Sequence, residues 1–306
     1  MADYNSSDVS TSIIFESTYG VTPTTGATRY EVPTSVDQPL LVAESTTIKS
    51  NTKKPNNAAG GSRRGVTNVT GALNTRAFSG ALHYALMESL FRSSFTGTTT
   101  KTLKAAKDDK SFSVIHQLAL NDFEVFSGAL VKGLTIDVKA NDEVNYNWDL
   151  VGTGFLPTDT DNPLSVTPTA YDGVGEFTGL DLANVTIAGQ SVDVLEMSVS
   201  IAADRPMRPV CGTNVQRAPG YNGARDATVS MKVYRGSNAY HTLLTGGPQA
   251  FSFDLGPTGS GTRYSCPAVI FDIPKNELSN GSVFFNVTGT INYDATAQAD
   301  IVVTQL

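Results

Sequence analysis

The side chains best suited to chemistry in this chain are three histidines, His83, His116 and His241, and two cysteines, Cys211 and Cys266. Each stands alone. There is no His-x-x-x-His pair and no Cys-x-x-Cys, so the ligand spacing of a zinc site is missing. There is no Gly-x-Ser-x-Gly elbow to raise a nucleophilic serine, and no Gly-x-x-x-x-Gly-Lys-Ser/Thr loop to cradle phosphate. Gly152-Thr153-Gly154 and Gly259-Ser260-Gly261 read as turns, because neither leads into a helical pattern. Asp142 and Glu143 are adjacent, but adjacency in a loop does not set two carboxylates across a substrate. His83 and His241 fall on helical patterns and read as packing or polar-tip residues. Five Asn-x-Ser/Thr triplets, beginning at Asn5, Asn68, Asn184, Asn280 and Asn286, follow from a composition rich in Ser and Thr. The expectation is a chain with no enzymatic activity, no cofactor and no metal.

Charge is better organised than chemistry. The net charge is −7, which argues against a surface that grips nucleic acid throughout. The signs are segregated. From Ser45 to Met87 there is no acid, while Lys49, Lys53, Lys54, Arg63, Arg64 and Arg76 fall there. From Ala140 to Asp204 there is no base, while Asp142, Glu143, Asp149, Asp172 and Glu176 are among the acids. Basic residues return at Arg205, Arg208, Arg217 and Arg225. Segregation of this kind bears on association and steering. The basic loop lacks interleaved aromatics, so base stacking is not expected of it.

The elements that must carry these residues are strands. Thr, Val, Ser and Gly are abundant, hydrophobic content is 40% and charged content only 17%. Apolar alternation predicts strands at 13–16, within 28–48 with Val42 and Ile48 pointing inward, and at 66–73, 112–120 and 134–150. Further strands are predicted at 185–187, 192–201, 228–234, 251–255, 268–273 and 283–293, with an apolar run at 301–303. Ala81, Leu82, Ala85, Leu86, Leu90 and Phe91 have helical spacing behind Ser79 as N-cap, and 237–244 is a shorter counterpart. Residues 49–65 read as a long loop. The amino terminus has no basic or apolar leader pattern, and no apolar run reaches the ~18 residues of a membrane span. Two cysteines are too few for a disulfide framework; both read as reduced, with a single bridge the less favoured option.

The order of landmarks repeats about 140–155 residues later. An alternating stretch ending at Ile48 matches one ending at Ile201, and the loop 49–65 matches 205–223. The strand and helix of 66–91 match 227–244, and the strand group 112–154 matches 251–293. The predicted organisation is an arm (1–12), a first β unit (13–155), a junction (156–184) and a second β unit (185–306). A duplicated β unit with long loops suits a building block better than a catalyst.

Phe15-Glu16-Ser17-Thr18-Tyr19-Gly20-Val21-Thr22-Pro23 resembles the start of many tail tube, or major tail, proteins of long, non-contractile bacterial viruses. The likeness continues through Arg63-Arg64-Gly65, Leu86-x-x-x-Leu90 and Phe126 to Ile136. It extends to Ile187-Ala188-Gly189-Gln190 and Arg205-Pro206-Met207-Arg208-Pro209. The resemblance implies a mainly β fold: a duplicated β-sandwich or barrel, each unit with a flanking short helix and long loops. It implies a virion protein assembled in the host bacterial cytoplasm, whose subunits pair at strand edges into rings that stack as a hollow tube for DNA. Partners would be the chain itself, in trimeric pseudo-hexameric rings or alternatively hexamers. Tape-measure and tail terminator or tip proteins would join it, with transient DNA in the lumen and no membrane. Lys53, Lys54, Arg63, Arg64, Arg205, Arg208 and Arg217 are the candidate ring-stacking residues. Asp142, Glu143, Asp149, Asp172 and Glu176 are their candidate acidic partners or lumen residues. The rival expectation is an Ig-like decoration or adhesin module that binds a host-surface glycan or receptor.

Overall fold

The computed structural model describes residues 8–33, 40–52, 54–55, 60–158, 166–171, 175–213, 216–236, 246–257, 260–279 and 281–306. Strands β1 (Ser10–Phe15), β2 (Arg29–Glu31), β3 (Val42–Lys49) and β4 (Ser62–Arg76) lead to helix α1 (Ala81–Phe91). Strands β5 (Thr102–Leu103), β6 (Phe112–Ala119), β7 (Asp122–Lys139), β8 (Asn145–Gly152) and β9 (Gly154–Thr158) complete the first half. A 3-10 turn (Gly179–Asp181) opens the second, followed by β10 (Leu182–Ile187), β11 (Gln190–Ser191), β12 (Val194–Asp204) and β13 (Asn222–Tyr234). Then come β14 (Gln249–Leu255), β15 (Thr262–Phe271), β16 (Lys275–Ser279), β17 (Ser282–Asn292) and β18 (Val302–Gln305).

The two halves pair their strands alike. In the first, β3 pairs β4, β4 pairs β8, β8 pairs β7, β7 pairs β6 and β9, and β6 pairs β1, all antiparallel. In the second, β12 pairs β13, β13 pairs β17, β17 pairs β15, β15 pairs β14 and β18, and β14 pairs β10. The four strands of each half then join, because β7 also pairs β12 over seven residues, Gly133–Lys139 against Glu196–Ala202. The result is one continuous wall, β3-β4-β8-β7-β12-β13-β17, finished by β15 and β16 along the far side of β17. Behind it lies a second layer, β2-β1-β6-β7-β9 in one half and β10-β14-β15-β18-β5 in the other.

Alternation explains which face is inside. Leu134, Ile136 and Val138 of β7 are buried and Thr135 and Asp137 are not, as their spacing predicts. Most buried side chains form one large cluster that runs through both halves, and Ile14, Ile115, Phe123 and Val125 form a small second one. Helix α1 packs against β7, and Ser89 Oγ accepts a hydrogen bond from the Val131 backbone N–H (3.2 Å). Tyr146 of β8 and Tyr264 of β15 meet hydroxyl to hydroxyl at 2.9 Å in the core, bonding one half to the other.

Four local expectations change. The N-cap of α1 is Gly80, in extended backbone, because the Ser79 hydroxyl is engaged by Tyr84 (3.0 Å) and by the Ser260 carbonyl. Strand β4 begins at Ser62, so Arg63 and Arg64 sit on a strand rather than in the loop. Val42 and Ile48 are 51% and 63% exposed instead of inward, because the register sets Val42 opposite Thr70, on the face away from buried Val69, and, past a bulge, Ile48 opposite exposed Arg63 at the hairpin end. The junction region contributes β9, the 3-10 turn and a core phenylalanine, Phe177. The predicted counterpart helix at 237–244, with His241, lies outside the described residues.

Candidate functional site

The wall ends in two unpaired strand edges. β3 bonds only β4, and β16 bonds only β17, among the described residues. An edge strand presents a row of backbone N–H and C=O groups to any chain that can pair with it. Both edges also carry aliphatic side chains in water: Val42 and Ile48 on β3, and Leu278 (82% exposed) on β16 with Ile273 (77%) just before it. Sequence reading missed β16 because Lys275-Asn276-Glu277-Leu278-Ser279 has a single apolar residue. Its pairing with 282–286 after a short turn is the signal that could have found it.

The charged candidates sort to the two ends of the wall. β4 is 15 residues long, so its ends lie roughly 45 Å apart at about 3.3 Å per residue. At one end the β3–β4 hairpin carries Lys49, Arg63 and Arg64, all exposed, with Lys54 in its connection. At this same end the connection from β12 to β13 carries exposed Arg208 and Arg217, whose backbones pair at 3.1 Å. The opposite end is the β7–β8 turn, with exposed Asp142 and Glu143, where Arg76 at the far end of β4 pairs with Glu143. Glu176 stands near it, accepting a hydrogen bond from Tyr171 Oη at 3.0 Å, and Gly179 N–H bonds the Asp142 carbonyl at 2.8 Å. Asp149 lies mid-wall on β8 and pairs with Lys132 at 3.1 Å. Lys53 and Asp172 lie outside the described residues.

Arg205 differs from the other basic candidates. Its side chain is buried, donating to the Val131 carbonyl (3.0 Å), the Ser89 carbonyl (3.3 Å) and Asp109 Oδ1 (2.9 Å). It therefore ties the β12–β13 connection to β7 and α1 and presents no charge to a partner.

The residues with chemical potential are spent on packing. His83 is buried against Tyr146 (ring centroids 4.9 Å), with Nε2 3.1 Å from Thr75 Oγ1. His116 accepts the Leu41 N–H at Nε2 (3.1 Å) and has Thr11 Oγ1 2.9 Å from Nδ1. Burial pushes each imidazole down to about 4. Cys211 is exposed on the β12–β13 connection, Cys266 is buried in β15, and both are free. Among the described residues, no group of three or more His, Cys, Asp or Glu could hold a metal ion.

The opening motif has a structural role that its composition did not reveal. Glu16 Oε1 accepts from Ser113 Oγ (2.6 Å) and Gly128 N–H (2.8 Å), and Oε2 from Gly20 N–H and Ser111 Oγ (both 2.7 Å). Tyr19 Oη bonds the Gly128 carbonyl (3.0 Å) and Thr153 Oγ1 (2.9 Å). Gly128 has φ +64° and sits where β7 leaves the second layer and enters the wall. Glu16 and Tyr19 thus clamp the crossing that lets one strand serve both layers. A sequence profile of phage tail tube proteins matches residues 6–298.

The chain belongs to the phage tail tube protein family.

The match spans both halves, so the tail tube assignment covers the whole two-layered fold rather than one motif. Comparison with curated proteins gives no match. As a tail tube protein it is a structural component of the virion tail. No described helix is long and apolar enough to cross a membrane.

Proposed function

We propose that copies of this tail tube protein join edge to edge, β16 and the end of β15 of one copy against β3 of the next, until the wall closes into a ring. The observation that carries this reading is the β7–β12 joint. β3 and β12 hold equivalent places in the two halves, as do β7 and the pair β15–β16. The joint inside the chain is therefore a template for the joint between chains. Repetition of one heterologous contact closes a ring when its rotation closes. Three copies would supply six equivalent units, and this is the stoichiometry favoured here over six copies.

Seven residue pairs in the internal joint give about seven backbone hydrogen bonds, worth roughly 1 kcal/mol each net. Association costs at least about 4 kcal/mol in lost freedom. Pairing alone is marginal, and burial of Val42, Ile48, Ile273 and Leu278 supplies a further contribution. Rings would then stack basic end to acidic end, Arg63, Arg64, Arg208 and Arg217 against Asp142, Glu143 and Glu176. The stacked rings would form the tube around a tape-measure protein, end at terminator and tip proteins, and pass DNA. Images of purified, concentrated protein with the rotational symmetry of isolated rings are the test. Three-fold annuli or tubes are expected; dispersed single globules at every concentration and salt would overturn the reading.

A further inference from the structure

One face of the wall is covered by the core, and the other is open to water. The strand register shows what that open face is made of. Asn74, Asn147, Thr135, Ser200, Thr228 and Thr290 lie side by side across six strands. Every one is a neutral hydrogen-bonding side chain. In the next row, Arg76, Asn145, Asp137, Ser198, Ser230 and Thr288 follow the same strands. Here Asp137 accepts from Asn147 Nδ2 (2.9 Å) and Ser198 Oγ (2.7 Å), and Arg76 is paired with Glu143.

A mixed-sign row lies near the β7–β8 turn, where Lys139, Glu196, Lys232, Asn286 and Lys275 are neighbours, and on the other side of the neutral row Ala72, Asp149, Gly133, Ala202 and Asp226 lie side by side. Lys232 Nζ bonds Glu277 Oε1 at 2.6 Å, and Asn286 Nδ2 bonds Glu277 Oε2 at 2.7 Å. The mixed-sign row borders a shallow depression of about 320 Å³. Three lysines and two glutamates make it nearly self-neutralising.

We infer that this face lines the channel of the assembled tube as a hydroxyl and amide band without unpaired cations, bounded by a mixed-sign belt near the acidic end and by a row with Asp149 and Asp226 toward the basic end. The inference rests on the tube reading above and gives its lumen a chemistry. Of the acidic residues expected as stacking partners or at the lumen, Asp142, Glu143 and Glu176 lie at the stacking end, and Asp149 is on this face, where Lys132 pairs with it. Such a wall suits a densely charged, hydrated polymer in transit. It offers no lattice of cations to exchange for phosphate counterions, so it does not hold the polymer. It offers water-like hydrogen-bonding groups in place of an apolar surface.

Two measurements test the inference. In a Cys211→Ser background, Thr228→Cys and Thr290→Cys place thiols on the wall, and Leu120→Cys places one on the exposed β6–β7 turn. In tubes, a small maleimide is expected to label all three. A maleimide carried on a protein too wide for the channel should label Leu120→Cys as in free subunits, and both wall positions about tenfold more slowly. Wall thiols that keep their subunit rate toward the wide reagent in imaged tubes, or that lose the small one as well, overturn the assignment. Tubes of the Thr228→Lys, Thr290→Lys double variant should retain a short DNA duplex about tenfold more than wild type at low salt. Equal retention by wild-type tubes would refute a wall without unpaired cations. Failure to form any tube refutes the tube reading instead, a distinct result.

Discussion

Acid should unfold this protein through two histidines before it protonates most carboxylates. His83 and His116 are both buried, and burial lowers each from 6.5 to about 4. His116 Nε2 already accepts the Leu41 N–H, so a proton there would set two donors face to face. His83 lies against Thr75, Phe78, Tyr146 and Trp148, and among the described residues none of these contacts is a carboxylate. The sign follows. Above pH 6.5 neither folded nor unfolded chain protonates these rings, and their full contribution to stability is present. Between pH 6.5 and about 4 the unfolded chain binds protons that the folded chain refuses, so stability falls as pH falls. The slope is about 1.4 kcal/mol per pH unit for each histidine, or roughly 2 kcal/mol each by pH 5 and about 4 kcal/mol together. Guanidinium unfolding of the dispersed subunit at pH 7 and pH 5 measures it. His116→Gln should lose about 1.4 kcal/mol per unit of that slope, whatever its stability at pH 7. A wild-type stability flat across this window would refute the reasoning. So would a variant parallel to wild type, or an imidazole titrating near 6.5 in the folded protein.

Three further outcomes follow from named contacts. Gly128→Ala should lower stability by about 2–3 kcal/mol, because a methyl at φ +64° meets Thr153 Oγ1 at 2.8 Å and Tyr19 at 2.9 Å; thermal unfolding reads the loss. Tyr264→Phe should cost roughly 1–3 kcal/mol in a denaturant titration, because it removes the hydroxyl that Tyr146 meets across the two halves. Arg63→Glu with Arg64→Glu should leave folded subunits and rings but prevent stacking, visible as annuli in place of tubes. Because these arginines are exposed, high salt should weaken wild-type stacking in the same direction.

Much of the fold was legible because alternation fixes faces. Thr135 and Asp137 between Leu134, Ile136 and Val138 could point only outward, and the spacing of Leu82, Leu86 and Leu90 marked α1. The duplicated strand order was readable because equivalent strands kept their order. The edge strands were not readable, for a physical reason. Val42 and Ile48 carry the same alternating signal as core residues, and only the pairing that sets them opposite Thr70 and Arg63 shows that they face water. Charge segregation was visible as a run, but its placement at two ends roughly 45 Å apart depends on β4 being one unbroken strand. Arg205 looked like its neighbours Arg208 and Arg217 until the structure put its guanidinium on two buried carbonyls and Asp109. The Glu16 and Tyr19 clamp was noticed only as a likeness, because its partners at Ser111, Ser113, Gly128 and Thr153 are about 95–135 residues away.

The central claim is that β3 and the β15–β16 edge pair between copies. Backbone hydrogen exchange of 42–49 and 270–279, compared in dispersed subunits and in assembled material, tests it most directly. Pairing predicts that these two segments slow together by about 100-fold or more on assembly, while the already paired β7 and β12 change little. Imaged tubes in which both edges exchange as fast as in the free subunit would contradict it.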